Sequence, residues 1–135
     1  MTRVREHAHP NCLLCSLSRK GGIGLTFAPE DGGGVEAAFD CPERYEGFPG
    51  MIHGGVITSL LDSAMMNCLF ARGIVAYTAG LNVRFPAPLA VGRPARVRAR
   101  LDASGSPLHV LEAEVVQDGR VKAKAVGKFL EARNG

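Results

Sequence analysis

Over residues 56–72 the apolar side chains recur at helical spacing. Ile57, Leu60, Leu61, Ala64, Met65 and Cys68 fall at i, i+3, i+4, i+7, i+8 and i+11, one face of an α-helix. Arg72 in the last turn and Gly73 just after it supply a stop. Val56, Leu69 and Phe70 widen the apolar surface beyond one stripe, so the pattern predicts a helix buried on most sides. The rest of the chain reads with the period of strands. Ile23, Leu25 and Phe27 alternate with smaller residues, residues 29–34 carry turn formers, and residues 35–39 read as a second strand of a hairpin. A loop over 41–50, with Pro42, Gly47, Pro49 and Gly50, delivers the chain to His53-Gly54-Gly55.

Beyond Gly73 a strand is expected over 75–85, where Leu81, Val83 and Phe85 alternate with Asn82 and Arg84 before Pro86-Ala87-Pro88. Next, Ala95, Val97, Ala99 and Leu101 face one way and Arg96, Arg98, Arg100 and Asp102 the other. A turn over 103–107 leads into a strand over 108–117, and Asp118-Gly119 is a strong hairpin signal. The last strand, 121–130, sets Val121, Ala123, Ala125, Gly127 and Phe129 against Lys122, Lys124 and Lys128, with Glu112 and Glu114 able to face lysines across the hairpin. The prediction is an α+β fold: one long helix against a curved antiparallel sheet of about five to six strands. No repeat or linker divides the chain, so residues 1–135 are expected to form a single domain, with 1–21 as an N-terminal arm.

Composition narrows the function classes. With 46% hydrophobic and 21% charged residues in 135, the chain has the balance of a water-soluble globular domain. A formal charge of +3 calls for no nucleic-acid partner. The most apolar stretch, 56–71, is interrupted by Asp62 and Asn67, which excludes a membrane-spanning helix and membrane partners. The opening MTRVREHAHP lacks the apolar core of a signal peptide, and four cysteines make no disulfide scaffold, so a cytoplasmic protein with reduced thiols is expected.

The candidate chemistry gathers on the helix. Its first turn has N–H groups without intrahelical acceptors and a partial positive charge, able to hold an oxyanion, and glycines let a ligand approach. Asp62, in the middle of an apolar helix, needs either a hydrogen-bonded setting or a use. Two readings stay open: a carboxylate that activates water or attacks directly, or one that bonds to Thr58, Ser59 or a partner chain. His53-Gly54-Gly55 likewise reads as an oxyanion site or as a tight capped turn. Asp62 lies about 13 Å along the helix from His53 at 1.5 Å per residue, too far for both to act on one bond. Two helices antiparallel across a dimer axis would bring the aspartate of one subunit to the helix start of the other.

The run Gly47-Phe48-Pro49-Gly50-Met51-Ile52-His53-Gly54-Gly55-Val56-Ile57, followed by Leu60-Leu61-Asp62, Ala64-Met65 and Leu81-Asn82-Val83-Arg84-Phe85 with Pro88 and Gly92, resembles the hotdog-fold acyl-CoA thioesterases related to the phenylacetic-acid-degradation protein PaaI. The similarity covers about residues 12–130. It implies a central helix wrapped by an antiparallel sheet, a homodimer with a continuous sheet, and a dimer of dimers. It also implies hydrolysis of an acyl-CoA or related acyl thioester without a cofactor. Asp62 would be base or nucleophile, the Gly55 N–H an oxyanion donor, His53 an orienting group, and Thr78 the holder of the attacking water. Gly54, Asn82, Arg84 and Met66 would contact substrate. Many relatives carry Asn six residues ahead of the histidine, where this chain has Gly47. A Gly-Phe-Pro-Gly branch of the superfamily often shares the N-terminal Cys-x-x-Cys seen at Cys12 and Cys15.

Thioester chemistry gives a use to other residues. Coenzyme A phosphates would suit Arg84, Arg93, Arg96 or Arg98, and an acyl slot would suit Met51, Met65, Met66 and Phe70; the plainer reading of the same residues is a solvated sheet face for the arginines and core for the others. His7, His9, Cys12 and Cys15 are the right types for zinc but crowd into nine residues, and no metal is expected. Cys41 and Cys68 read as small buried residues and His109 as a satisfied imidazole in a strand. The rivals are a hotdog hydratase or dehydratase, a non-catalytic acyl-CoA-binding module, and a small metal or thiol-redox module.

Overall fold

The computed structural model describes residues 25–132. Strand β1 (Ala28–Pro29) is followed by β2 (Val35–Phe39), a 3-10 turn at Glu43–Tyr45, the helix α1 (Gly54–Phe70), and four strands: β3 (Ala76–Arg84), β4 (Ala95–Gly105), β5 (Leu108–Gln117) and β6 (Arg120–Glu131). They form one six-stranded sheet in the order β1-β2-β4-β5-β6-β3, antiparallel throughout. This is the expected single helix against an antiparallel sheet, with β3 carried to the far edge, where among the described residues it pairs with β6 alone.

The period-2 patterns place the core. Ala95, Val97 and Ala99 of β4, Leu111, Ala113 and Val115 of β5, and Ala123, Ala125 and Phe129 of β6 are buried on the face that meets α1. The helix answers with Ile57, Leu60, Leu61 and an unbroken buried run from Ser63 to Phe70. It is buried nearly all round because the sheet curls over it. Gly127 shows how close the two layers lie: a Cβ there would stand 2.7 Å from Cε1 of Phe129 and 3.0 Å from Sδ and Cε of Met65.

Local departures from the expected pattern have local causes. The helix starts at Gly54, two residues early, because His53 caps it, and it ends at Phe70 rather than Arg72. Ladder pairing in the first hairpin covers only Ala28 and Pro29, although Leu25 and Phe27 are buried as alternation required. The expected turn over 103–107 is shorter, since β4 runs on to Gly105 past a bulge between Leu101 and Ala103. Val121 is exposed because a register shift at Val115/Val116 turns it away from the row of Ala123. Glu114 does stand opposite Lys124 across the β5–β6 hairpin, as expected, whereas Glu112 stands opposite Val126; both carboxylates make their ion pairs with β4 instead, with Arg98 and Arg100 across the β4–β5 ladder.

His109 is 3% exposed and fully partnered. Its Nδ1 lies 2.6 Å from Ser104 Oγ and its Nε2 lies 3.0 Å from Glu131 Oε2, joining the β4–β5 hairpin to the end of β6. Hydrogen bonds from the Ser106 and His109 side chains hold the Glu131 carboxyl below its usual range. A carboxyl depressed in the folded state contributes stability that is present above its unfolded pKa and lost as pH falls through the folded value. Thermal unfolding should therefore show a midpoint that drops as pH falls below about 4.5, with a shallower slope in Glu131→Gln. At the helix–sheet contact, Gly127→Ala should destabilise by about 1–3 kcal/mol through overpacking, read as a lower urea midpoint at unchanged m-value.

Candidate active site at the helix start and the edge strand

The loop before α1 is closed on itself. Met51 N–H donates to Phe48 O at 2.9 Å, Gly50 N–H to the Glu46 carboxylate at 2.9 Å, and His53 N–H to Tyr45 O at 2.8 Å. Gly50, at φ +80°, makes the turn that few other residues would take. Gly47 lies directly on His53: a Cβ there would stand 3.1 Å from the His53 Cα and 3.4 Å from its Cδ2. Glycine in place of the relatives' asparagine is thus accompanied by a loop drawn against the histidine. His53 itself stays out of the helix at φ −57°, ψ 134°, and its Nδ1 accepts the Gly55 N–H at 2.9 Å.

That cap decides which N–H is free. The Gly55 N–H, expected to face an oxyanion, is taken by the imidazole. The Gly54 N–H has no acceptor among the described residues, and Gly54 is exposed with open space beside it, where a Cβ would meet nothing nearer than Phe85 Cζ at 3.9 Å. Thr58 and Ser59 turn their hydroxyls back onto the Gly54 and Gly55 carbonyls, each at 2.9 Å, so neither serves Asp62. Asp62, half-buried, instead accepts a hydrogen bond of 2.6 Å at Oδ1 from Thr78 Oγ1 on β3. The bulge between Thr78 and Gly80 lies immediately after this contact. No hydrogen bond engages the other carboxylate oxygen among the described residues. Eight residues of helix, about 12 Å, separate Gly54 from Asp62.

The remaining candidates lie elsewhere. Asn82 and Arg84 line a depression of about 620 Å³ on the outer face of the sheet, away from α1, with Arg98, Arg100, Glu112, Glu114 and Lys124. Arg93, Arg96 and Arg98 are committed to Asp118, Glu36 and Glu114 at 2.8, 2.9 and 2.7 Å, whereas Arg84 makes no ion pair among the described residues. Met65, Met66 and Phe70 are core residues no more than 7% exposed, so within one protomer Met66 lines no open slot; Met51 is more exposed. Burial pushes the Cys41 thiol up to about 11 and raises that of Cys68, leaving both as buried thiols. His7, His9, Cys12 and Cys15 lie outside the described residues, and no metal-ligating cluster occurs among those described.

Comparison with known proteins places this arrangement. The family model of the thioesterase superfamily matches residues 49–124, from the loop ahead of His53 to Lys124. The chain belongs to the thioesterase superfamily. Acyl-coenzyme A thioesterase THEM4 of Rattus norvegicus is 41% identical over 44 residues, which are 33% of this chain and 19% of that protein, so the match spans about a fifth of its length. The PaaI protein of the Escherichia coli phenylacetic acid degradation operon superposes with a TM-score of 0.76 at 20% identity, covering 82% of this chain and 81% of that one. A Streptococcus mutans protein solved with acetyl CoA bound gives 0.74 at 18% identity, covering 80% and 88%. The fold is therefore the hotdog fold expected from the sequence.

In this thioesterase-superfamily chain the structure brings Asp62 to Thr78, and His53 to Gly55, while Asn82 and Arg84 sit on the opposite face of the sheet. Sequence reading missed Phe85 as the neighbour of Gly54; the period-2 alternation that set Phe85 on the same face as Leu81 and Val83 held the signal. The capped-turn reading of His53 is the one the structure shows; what the sequence did not tell is which of the two glycine N–H groups the ring takes, since that depends on a side-chain torsion. The two glycines are separable by experiment. Gly54→Ala adds a methyl group to open space and should leave stability within about 1 kcal/mol of wild type or raise it. Gly55→Ala pushes against the His53 Nδ1 at 3.0 Å and should lose about 0.5–2 kcal/mol of capping. Chemical denaturation of the two variants reads both.

Proposed function

We propose that the protein hydrolyses an acyl-CoA thioester to the free acid and the thiol, at a site shared between two subunits. The observation that carries this reading is the 2.6 Å bond from Thr78 to Asp62. It ties down one carboxylate oxygen and leaves the other to take a proton from water. Thr78 Oγ1, having donated its proton, still has lone pairs to accept from that water. Membership of the thioesterase superfamily gives the reaction class, and the acetyl-CoA-bound relative supports the carrier.

In the first step water attacks the thioester carbonyl carbon while Asp62 removes its proton. The electron pair displaced onto the carbonyl oxygen is met by the Gly54 N–H at the positive end of α1, with His53 holding the turn through Gly55. Collapse of the tetrahedral species breaks the C–S bond and expels the thiolate, which takes up the proton that Asp62 removed from water. In an alternative first step Asp62 attacks directly and water then opens the anhydride; both need the same free oxygen. Because Gly54 and Asp62 of one helix are about 12 Å apart, the pair that acts on one bond comes from two copies. The edge of β3 that has no strand partner among the described residues, adjacent to both groups, offers the surface for a homodimer, and two such dimers could pair again. Of the four candidate arginines Arg84, Arg93, Arg96 and Arg98, Arg84 is the one without an ion pair among the described residues and so is available for the carrier's phosphates, and Asn82 lies beside it.

No helix among the described residues is long and apolar enough to cross a membrane. The free thiols of Cys41 and Cys68 support a cytoplasmic setting. The hydratase alternative needs an imidazole free to work with the carboxylate, and the Nδ1 of His53 is occupied by the cap.

Thiol release from short, medium, long and aromatic acyl-CoAs tests the reading. Asp62→Asn should lower kcat by about 10²–10⁴-fold. Thr78→Val should lower it by about 10–100-fold, the worth of one hydrogen bond to a charged group. Saturable binding with no thiol release across the panel would leave a ligand-binding module in place of a hydrolase.

A further inference from the structure

The outer face of the sheet carries a row of charges in register from β2 to β3: Glu36, Arg98, Glu114, Lys124 and Arg84 stand successively opposite one another. Signs alternate along the row until its last rung, where Lys124 faces Arg84. Like charges directly opposite on one face destabilise an antiparallel pair, and neither Lys124 nor Arg84 forms an ion pair among the described residues. Glu114, the carboxylate nearest in register to Lys124, is held by Arg98 at 2.7 Å. Arg100 is held by Glu112. Both free cations line the 620 Å³ depression together with the exposed amide of Asn82. The acids of that depression with no cation of their own, Glu30 and Asp31, stand at its other end on the β1–β2 turn, and burial with the nearby Glu36 raises the Glu30 carboxyl. The groove is polarised, with its positive end at the last rung of the β3–β6 ladder.

That end is one residue from Phe85, the side chain that lies against Gly54. Since consecutive side chains of a strand point to opposite faces, Arg84 and Phe85 mark the two sides of the same strand end, and Pro86 lets the ladder go no further. A molecule held at the Gly54 N–H has only to pass round the end of β3 to reach Arg84 and Lys124.

We propose that Lys124 and Arg84 form a clamp for the phosphorylated nucleotide of coenzyme A, with Asn82 as an adjoining hydrogen-bond donor. This rests on the acyl-CoA reading above and deepens it, because it makes the chain select a nucleotide-bearing carrier over a bare pantetheine thioester. Arg84 offers a planar fork and Lys124 a point charge, a combination suited to a phosphate ester approached from two strands.

The test has two arms that fail separately. In the first, adenosine 3′,5′-bisphosphate is titrated calorimetrically into the full-length protein. Saturable binding is expected, weakened at least tenfold by Lys124→Gln and by Arg84→Gln, reduced by added salt, and retained by Lys128→Gln on the same strand. In the second, the ratio of kcat/KM for an acyl-CoA over the same acyl-pantetheine should exceed ten and fall towards one in Lys124→Gln, through KM rather than kcat. Absence of bisphosphate binding, or binding and preference equal in wild type and both variants, would overturn the clamp even if thioesters are hydrolysed. Variant-sensitive binding without any hydrolysis would keep the clamp and remove the hydrolase assignment. A change in assembly mass in Lys124→Gln with the preference intact would overturn it too, showing that the charged face meets a second copy of the chain.

Discussion

Almost everything in this molecule follows from burying a helix that is apolar nearly all round. A helix with one apolar stripe can rest on a flat sheet, but α1 buries every residue from Ser63 to Phe70, and only a sheet that curls about it can cover so much circumference. The curl demands small residues where sheet and helix come closest. Ala99, Ala113, Ala123, Ala125 and Gly127 supply them on the three central strands. At about 25 cal/mol per Å² of apolar surface, covering such a helix is the main favourable term of the fold, and the strand order serves it. Carrying β3 across to pair with β6 closes the sheet on the side of the helix that β2 and β4 leave open.

The same constraint leaves two places where polar chemistry survives against the core. One is the first turn of α1, which emerges from the sheet and keeps its N–H groups near solvent. The other is Asp62, whose carboxylate would be costly on an apolar helix without a donor. Thr78 is that donor, and it is available because the β3 edge runs beside the helix with its inner face in reach. A charged group is thus stabilised by an edge strand, paired on one side only among the described residues. The polar contact sits at β3 because the tightly packed centre of the sheet has no room for it.

Much of this was legible in the sequence because period carries so much information. The 3.6-residue spacing of Ile57, Leu60, Leu61 and Ala64 marked the helix, and the alternation of Arg96, Arg98 and Arg100 with small apolar residues marked both faces of β4. The motif around His53 and Asp62 pointed to the family, and Thr78 was placed with Asp62 through that resemblance. Features set by fine geometry stayed hidden. Whether His53 caps Gly55 or turns away depends on one ring orientation, and the tight approach of Gly47 depends on how the loop closes. Bulges at Leu101/Ala103 and Val115/Val116 shift register without altering composition. The partners of the arginines needed the ladder register, which no single strand encodes.

Register also explains why the two faces of the sheet take different roles. On the inner face, neighbours across the ladder need complementary size, and Gly127 opposite Leu81 and Leu111 answers the bulk of Met65. On the outer face they need complementary charge, and the sequence supplies it strand by strand until β3. Edge strands commonly carry charge that discourages pairing with other chains, so an unmatched Arg84 alone would be unremarkable. Opposite Lys124, at the end nearest the open Gly54 N–H, it marks the place where the charge pattern stops serving the sheet's own cohesion. An edge that must admit a ligand benefits from a local electrostatic deficit: the field that costs the free fold a little stability is the field an anion would neutralise on arrival.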